Sequence, residues 1–391
     1  MMLYKKRLMV PGPTPIPNEV IHAGMQPMID ERTPEFGILF SRLLNNLKEI
    51  LNTNNDILIF SSSITGACES TIQNLFSSGD RVLIINNGFF AERWIEICKA
   101  YGVIVEEIKC GFGQEIDFTA VANKLSLNQD IIATICVFCE TSTGMMNDIE
   151  RLSEIAKGTL TIVDAASGVG VSEIKTDQWN IDVVVSGSQK ALMTPPGISF
   201  VSVSQRAWQA HRSATLPRFY FDWGKSKKFS QEKYPHTPFT PAISLIFQLD
   251  MATTMILNEG LENVYNRHAV LSKATREGMK ALGLKLLIET EEVCSAVTAA
   301  FLPEGLSAED FVEDLSRRFG IQITDGAGVY KDKIIRIGHC GYMDPFEIIA
   351  TISAIEALLV EYDSSVILGE AIKKVQQVFA NISTITMMSK G

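Results

Sequence analysis

The sequence predicts an α/β protein, with a mostly parallel sheet flanked by helices and a smaller α+β domain after it. Three observations carry this. Short β-rich apolar runs recur through the first half of the 391 residues. Segments of helical spacing lie between most of them, several stopped by glycine. Past about residue 256 the pattern changes to shorter strands and helices.

In chain order, the strand candidates are DILIFSSS (56–63), RVLIINN (81–87), VIVEEIK (103–109) and DIIATICVF (130–138). LTIVDAAS (160–167), DVVVSGS (182–188) and ISFVSVS (198–204) follow. Runs apolar on both faces suit a parallel sheet covered on both sides. ACESTIQNLFSSG and AERWIEICKAYG read as helices between them. The link between the last two strands carries Pro195, Pro196 and Gly197 and is too short for a helical crossover, so those strands are expected to be antiparallel neighbours. One long helix is expected from about Pro241 through LENVYNRHAVLSKATREGMKALG. The second domain then reads as SAVTAAFLP, SAEDFVEDLSRRFG, IIRIGHCG and DPFEIIATISAIEALLVEY, with a last helical stretch, SSVILGEAIKKVQQVFAN.

Composition excludes several classes. Net charge is −10, with basic residues only in short clusters such as Lys5-Lys6-Arg7, which argues against a nucleic-acid partner. No apolar run reaches membrane-spanning length, and the opening MMLYKKRLMVPGPTP lacks a secretory core, so a cytoplasmic protein without a membrane partner is expected. The seven cysteines are scattered: Cys68, Cys98, Cys110, Cys136, Cys139, Cys294 and Cys340. Cys136 and Cys139 form a C-x-x-C pair, but an offset of three in a strand puts them on opposite faces; reduced core thiols are expected, and no metal site.

Ligands of parallel α/β sheets gather at the carboxyl ends of the strands. The first strand ends in Ser61-Ser62-Ser63-Ile64-Thr65-Gly66 at a helix start, which suits an anion such as phosphate but is also an ordinary N-cap pattern. The second ends at Asn86, Gly88 and Phe90, a flat aromatic or a plain turn. The fourth ends at Glu140, Thr141, Ser142, Thr143 and Gly144, a hydroxyl-rich loop that offers donors to a ligand or caps for the next helix. Asp164 follows the apolar TIV, and a carboxylate emerging there needs a cation or a hydrogen-bond donor. Lys190 follows the sixth strand. A phosphate cradle, a flat ring, an aspartate and a lysine on one rim match pyridoxal phosphate, whose aldehyde forms a Schiff base with lysine.

The chain resembles the class V, fold-type I pyridoxal-phosphate aminotransferases, in particular the alanine–glyoxylate and serine–pyruvate group. The resemblance rests on VPGPTPIP, ETSTG, IVDAASGVG, SGSQKAL followed by PPG, TPFTPAISL and IIRIG, spread over nearly the whole chain. It implies an N-terminal arm (1–20), a large cofactor-binding domain (21–255) and a small C-terminal domain (256–391). It implies that Lys190 carries the cofactor and acts as general base, and that Asp164 pairs with the ring nitrogen. Phe90 would stack on one ring face and Ala166 pack on the other, with Thr141 near the ring hydroxyl and the substrate. Ser63, Thr65, the Gly66 amide and Gln189 would hold the phosphate. Thr240, with Tyr234 or Thr237 nearby, would reach the phosphate of a neighbouring subunit, making a homodimer with shared sites. Arg336 would grip the substrate carboxylate, with the segment around Gly12 closing over it. The implied reaction is ping-pong transfer from a small amino acid, alanine- or serine-like, to a 2-oxo acid, glyoxylate or pyruvate.

Ile64, Phe90 and Phe138 depart from the common pattern and are expected to touch the cofactor pocket. The alternatives are other class V activities: an aminophosphonate transaminase, a lyase, an epimerase or a desulfurase. The last needs a nucleophilic cysteine on a mobile loop; Cys340 reads instead as a packed thiol.

Overall fold

The structure, a computed structural model, describes residues 5–290, 295–362 and 365–388; Cys294 lies outside them. Its centre is a seven-stranded sheet. From one edge to the other the strands are Asp56–Phe60, Ser199–Val203, Val183–Gly187, Leu160–Asp164, Ile131–Val137, Arg81–Asn86 and Ile104–Lys109. Ser199–Val203 runs antiparallel to both neighbours, so the short Pro-Pro-Gly link makes the reversal expected of it. All other pairings are parallel. The inner strands Leu160–Asp164, Val183–Gly187 and Ser199–Val203 are buried at every position, as two covered faces require. The edge strand Ile104–Lys109 is only partly buried and carries Glu106, Glu107 and Lys109, charges that discourage pairing with another chain.

One face packs under the helices Pro34–Ile50 and Ile243–Glu259, with Phe36, Leu43, Leu47 and Ile246 fully buried. The other packs under Ile64–Leu75, Phe89–Ala100 and Gln205–Ser213, around Trp94, Trp208 and Trp223. Each large apolar side chain buried this way contributes about 1.5–3 kcal/mol. A third core, built on Leu271, Phe311, Ile335 and Ile352, gathers the C-terminal helices around the strands Val297–Phe301, Ile334–Gly338 and Thr324–Asp325.

The single long helix expected past Pro241 is two. Gly260, at φ +85°, ends Ile243–Glu259 and caps the start of Leu261–Ala281. That left-handed conformation interrupts the helical hydrogen-bond ladder at low steric cost only for glycine.

The N-terminal segment is tied to both halves. Arg7–Leu8 pairs in parallel with Ile321–Gln322. The chain then passes so close to Gly338 that a Cβ there would lie 2.1 Å from the Val10 carbonyl oxygen. Glycine at the end of IIRIG is therefore what lets this segment through. Beyond it, Thr14 donates its hydroxyl to the Lys190 carbonyl (2.7 Å) and its amide to that of Gln189 (3.1 Å).

Candidate active site

Because Ser199–Val203 alone is reversed, the other six strands deliver their carboxyl ends to one rim. A cavity of about 130 Å³, partly open to solvent, lies there. Its walls include Ser63, Ile64, Thr65, Phe90, Asp164, Ala166, Gln189 and Lys190, with Cys68, Arg93, Val137, Cys139 and Ser167.

The lysine sits in a tight turn. The Met193 amide donates to the Lys190 carbonyl at 3.0 Å, and the Ser188 hydroxyl donates to that of Pro195 at 2.7 Å. The Lys190 ammonium donates to the Pro11 carbonyl at 3.0 Å and packs against Gly12. Burial pushes its pKa below the ordinary lysine range, against the opposing pull of Asp164.

Asp164 ends its strand buried, with Oδ2 accepting the Trp94 indole N–H (2.9 Å) and Oδ1 the Ala166 amide (3.1 Å). Burial raises its pKa, while those two donors and the charges of Lys190 and Arg93 oppose the rise. Ser63 occupies the N-cap of Ile64–Leu75, yet its side chain makes no capping bond. The first-turn amides of that helix face the same rim, although that of Gly66 donates to the Ser63 carbonyl at 2.9 Å. Gln189 Oε1 is buried with no partner among the described residues.

Arg336 lies outside the cavity wall. Its guanidinium donates to the Thr141 carbonyl (3.0 Å) and the Asp325 carbonyl (2.8 Å), and it is paired with no carboxylate oxygen in these bonds. Thr141 is buried in the hairpin of Cys139–Glu140 and Met145–Met146. The hydroxyls of that hairpin do not cap the next helix; Asp148 does, through the Arg151 amide.

Three expected residues lie away from this cavity. Tyr234 packs on Gly37, Thr237 donates to the Phe239 carbonyl, and Thr240 donates to Glu31. One expectation is corrected: Phe138 does not touch the cavity. It turns into the core against Gly168, where a Cβ would lie 2.2 Å from its ring, and meets Trp179 edge-on; Val137 and Cys139 form the wall instead. Ile64 does line the cavity, and its side chain also fills the space over Gly187. Cys136 and Cys139 are free and belong to different cores, one under the sheet and one beside Cys340. Among the described residues, no three His, Cys, Asp or Glu side chains are grouped to hold a metal ion.

The sequence pointed to neither Arg93 nor Trp94, and it placed Glu140 on the rim without its role. Buried Glu140 accepts from the amides of Phe90, Ala91 and Ser142, fixing the start of the helix that presents Phe90. Arg93 and Trp94 follow Phe90 by three and four positions, a helical spacing that puts all three on one face. The Arg93 guanidinium lies 5.0 Å from the Phe90 ring centre.

Comparison with known proteins finds a family model, aminotransferase class-V, matching residues 8–348. A Synechococcus protein (strain PCC 6716) named soluble hydrogenase, small subunit, is 41% identical over 92% of this chain and 94% of its own. Serine–glyoxylate aminotransferase of Methylorubrum extorquens is 34% identical, over 94% of each chain. The crystal structure of ureidoglycine–glyoxylate aminotransferase from Bacillus subtilis superposes with a TM-score of 0.91 at 26% identity, covering 97% of this chain and 99% of that one.

Proposed function

The chain belongs to the class V aminotransferase family, and we propose that Lys190 and Asp164, both on the wall of one cavity, are the residues on which its chemistry turns. It is a pyridoxal-phosphate enzyme that moves an amino group from an amino acid to a 2-oxo acid. We take the donor to be a small amino acid, alanine- or serine-like, and the acceptor to be glyoxylate or pyruvate; the names of the serine–glyoxylate and ureidoglycine–glyoxylate relatives support serine and glyoxylate among these.

The cavity's chemistry fits the cofactor. An N-cap serine free of capping duty and a helix N-terminus suit a phosphate group, and the buried Gln189 Oε1, an acceptor unpartnered among the described residues, suits a water bound beside it. Phe90 and Ala166 offer a broad and a small wall for a planar ring. Pyridoxal phosphate, when bound, supplies an aldehyde that condenses with amines and a ring that accepts electrons.

The side chains do the rest. Asp164 holds a proton at the ring nitrogen, and its buried carboxylate interacts strongly because water is excluded. Arg336, paired with no carboxylate among the described residues, offers a planar fork to the substrate α-carboxylate. Lys190 Nζ, its pKa lowered by burial, is more readily neutral than a surface lysine and takes the proton from the substrate α-carbon. Glu140 keeps Phe90 in place by anchoring its helix.

Cys340 argues against the desulfurase alternative. It is fully buried, and burial pushes its thiol up to about 12, so it is a packed thiol and a poor nucleophile. We further infer a cytoplasmic homodimer with an arm at 1–20 and domains at 21–255 and 256–391. Exposed Ile21, Met25, Met28 and Ile38 give a second copy an apolar face to cover. The remoteness of Tyr234, Thr237 and Thr240 from this chain's cavity fits a role in the partner's. Among the described residues no helix is long and apolar enough to cross a membrane.

The test is a donor panel. Alanine or serine should bleach the bound cofactor's visible absorption, and glyoxylate or pyruvate should restore it. An absorption unmoved by any amino acid refutes the reading.

A further inference from the structure

We propose that Trp94 is a positioning residue, whose indole N–H holds the Asp164 carboxylate in the orientation in which it meets the cofactor's ring nitrogen. This rests on the reading that Asp164 faces that nitrogen.

Trp94 is 1% exposed, and a buried indole N–H needs an acceptor. The acceptor it has is one specific atom, Asp164 Oδ2, at 2.9 Å. The other carboxylate oxygen, Oδ1, takes the Ala166 amide at 3.1 Å. Asp164 is thus gripped at both oxygens by neutral donors, one on its own loop and one on the helix Phe89–Ala100. That helix also carries Phe90, one turn earlier, so a single rigid element fixes a ring wall and the carboxylate.

A carboxylate with one oxygen released would rotate about its terminal bond, since that torsion is broad. It would also ionise less readily. The groups within reach of its charge are few: Lys190 from the loop after Val183–Gly187, Arg93 on the helix of Trp94, the Cys68 thiol on the cavity wall, and the Cys136 thiol in the core on the opposite face of the sheet. Burial holds both thiols neutral, and the two cations act through space rather than by hydrogen bonds to Asp164. The indole N–H is therefore the only side-chain donor that fixes the carboxylate's direction among the described residues.

The experiment compares binding of two ligands to the cofactor-free chain by calorimetry at pH 8. One is pyridoxal phosphate; the other is its 1-deaza analogue, with carbon in place of the ring nitrogen. In Trp94→Phe, preference for pyridoxal phosphate over the analogue should fall about tenfold, the order expected for one hydrogen bond to a charged group. Asp164→Asn should lower it at least as much. Replacing Trp94 with 3-benzothienylalanine, which keeps the indole shape without the N–H, guards against loss of packing and should reproduce the fall. Equal weakening for both ligands in the Trp94 variants means a packing role and overturns the proposal. An unchanged preference in those variants with a fall in Asp164→Asn overturns it while leaving Asp164's role intact. An unchanged preference in all three overturns the Asp164 reading beneath it as well.

Discussion

Gly12 lies so close to Lys190 that adding one carbon tests the arrangement of the site. A Cβ at position 12 would fall 2.6 Å from Lys190 Cδ and 2.7 Å from Nζ. To regain an ordinary contact of 3.4 Å, the lysine must withdraw by about 0.8 Å, away from the Pro11 carbonyl that holds it at 3.0 Å. A displacement near 1 Å at a reacting group costs on the order of 100-fold in rate. The backbone resists as well: at φ +148° an alanine is strained by about 1–3 kcal/mol. Gly12→Ala should therefore lower kcat/KM for the amino donor by roughly 30- to 100-fold, with a small drop in Tm. The assay is steady-state transamination beside a thermal melt with bound cofactor. Activity within twofold of the parent would show that the lysine is not held where this account needs it.

Arg336→Lys should raise KM for the amino acid by about tenfold or more, since a single ammonium loses the two-pronged hold on a carboxylate; a full kinetic series checks this, and an unchanged KM rejects the substrate role. The pH profile has a definite sign. The chemistry needs Lys190 neutral and Asp164 ionised, both deprotonated forms, so kcat/KM should fall as pH falls. A kcat/KM that stays flat or rises as pH falls from about 8 to about 5 contradicts this. His268 gives a stability test. It is buried, with Nδ1 against the Val264 carbonyl (2.7 Å) and Nε2 accepting the Gly341 amide (2.9 Å), and burial lowers its pKa to about 3. The unfolded chain takes up that proton below about pH 6.5 while the folded chain does not, so this group's contribution is lost as pH falls from about 6.5 toward 3. His268→Gln should shrink the stability difference between pH 7 and pH 5 by about 2 kcal/mol in urea titrations at fixed protein concentration. An undiminished difference counts against a neutral buried imidazole.

Most of the fold was legible because buried parallel strands are near-continuous apolar runs, and seven such runs became the seven strands. The antiparallel pair was legible from the length of one loop. The break at Gly260 was not, because the helical pattern continues on both sides and only the backbone angle betrays it. Pairing of Arg7–Leu8 with Ile321–Gln322 was invisible, since two-residue strands carry no periodicity. Strand ends located Asp164, Phe90 and Lys190. Phe138 misled, because a strand end can turn its side chain to either face and the space over Gly168 took it. Trp94 and Arg93 were hidden as ordinary helix residues, although their spacing from Phe90 carried the signal.

The most direct test is chemical. The holoenzyme is reduced with borohydride, digested, and its peptides are sequenced by mass spectrometry. Attachment at Lys190 requires one phosphopyridoxyl group per chain, on the nitrogen of Lys190 and nowhere else. A label on a different lysine, or none on the peptide spanning 183–200, contradicts it.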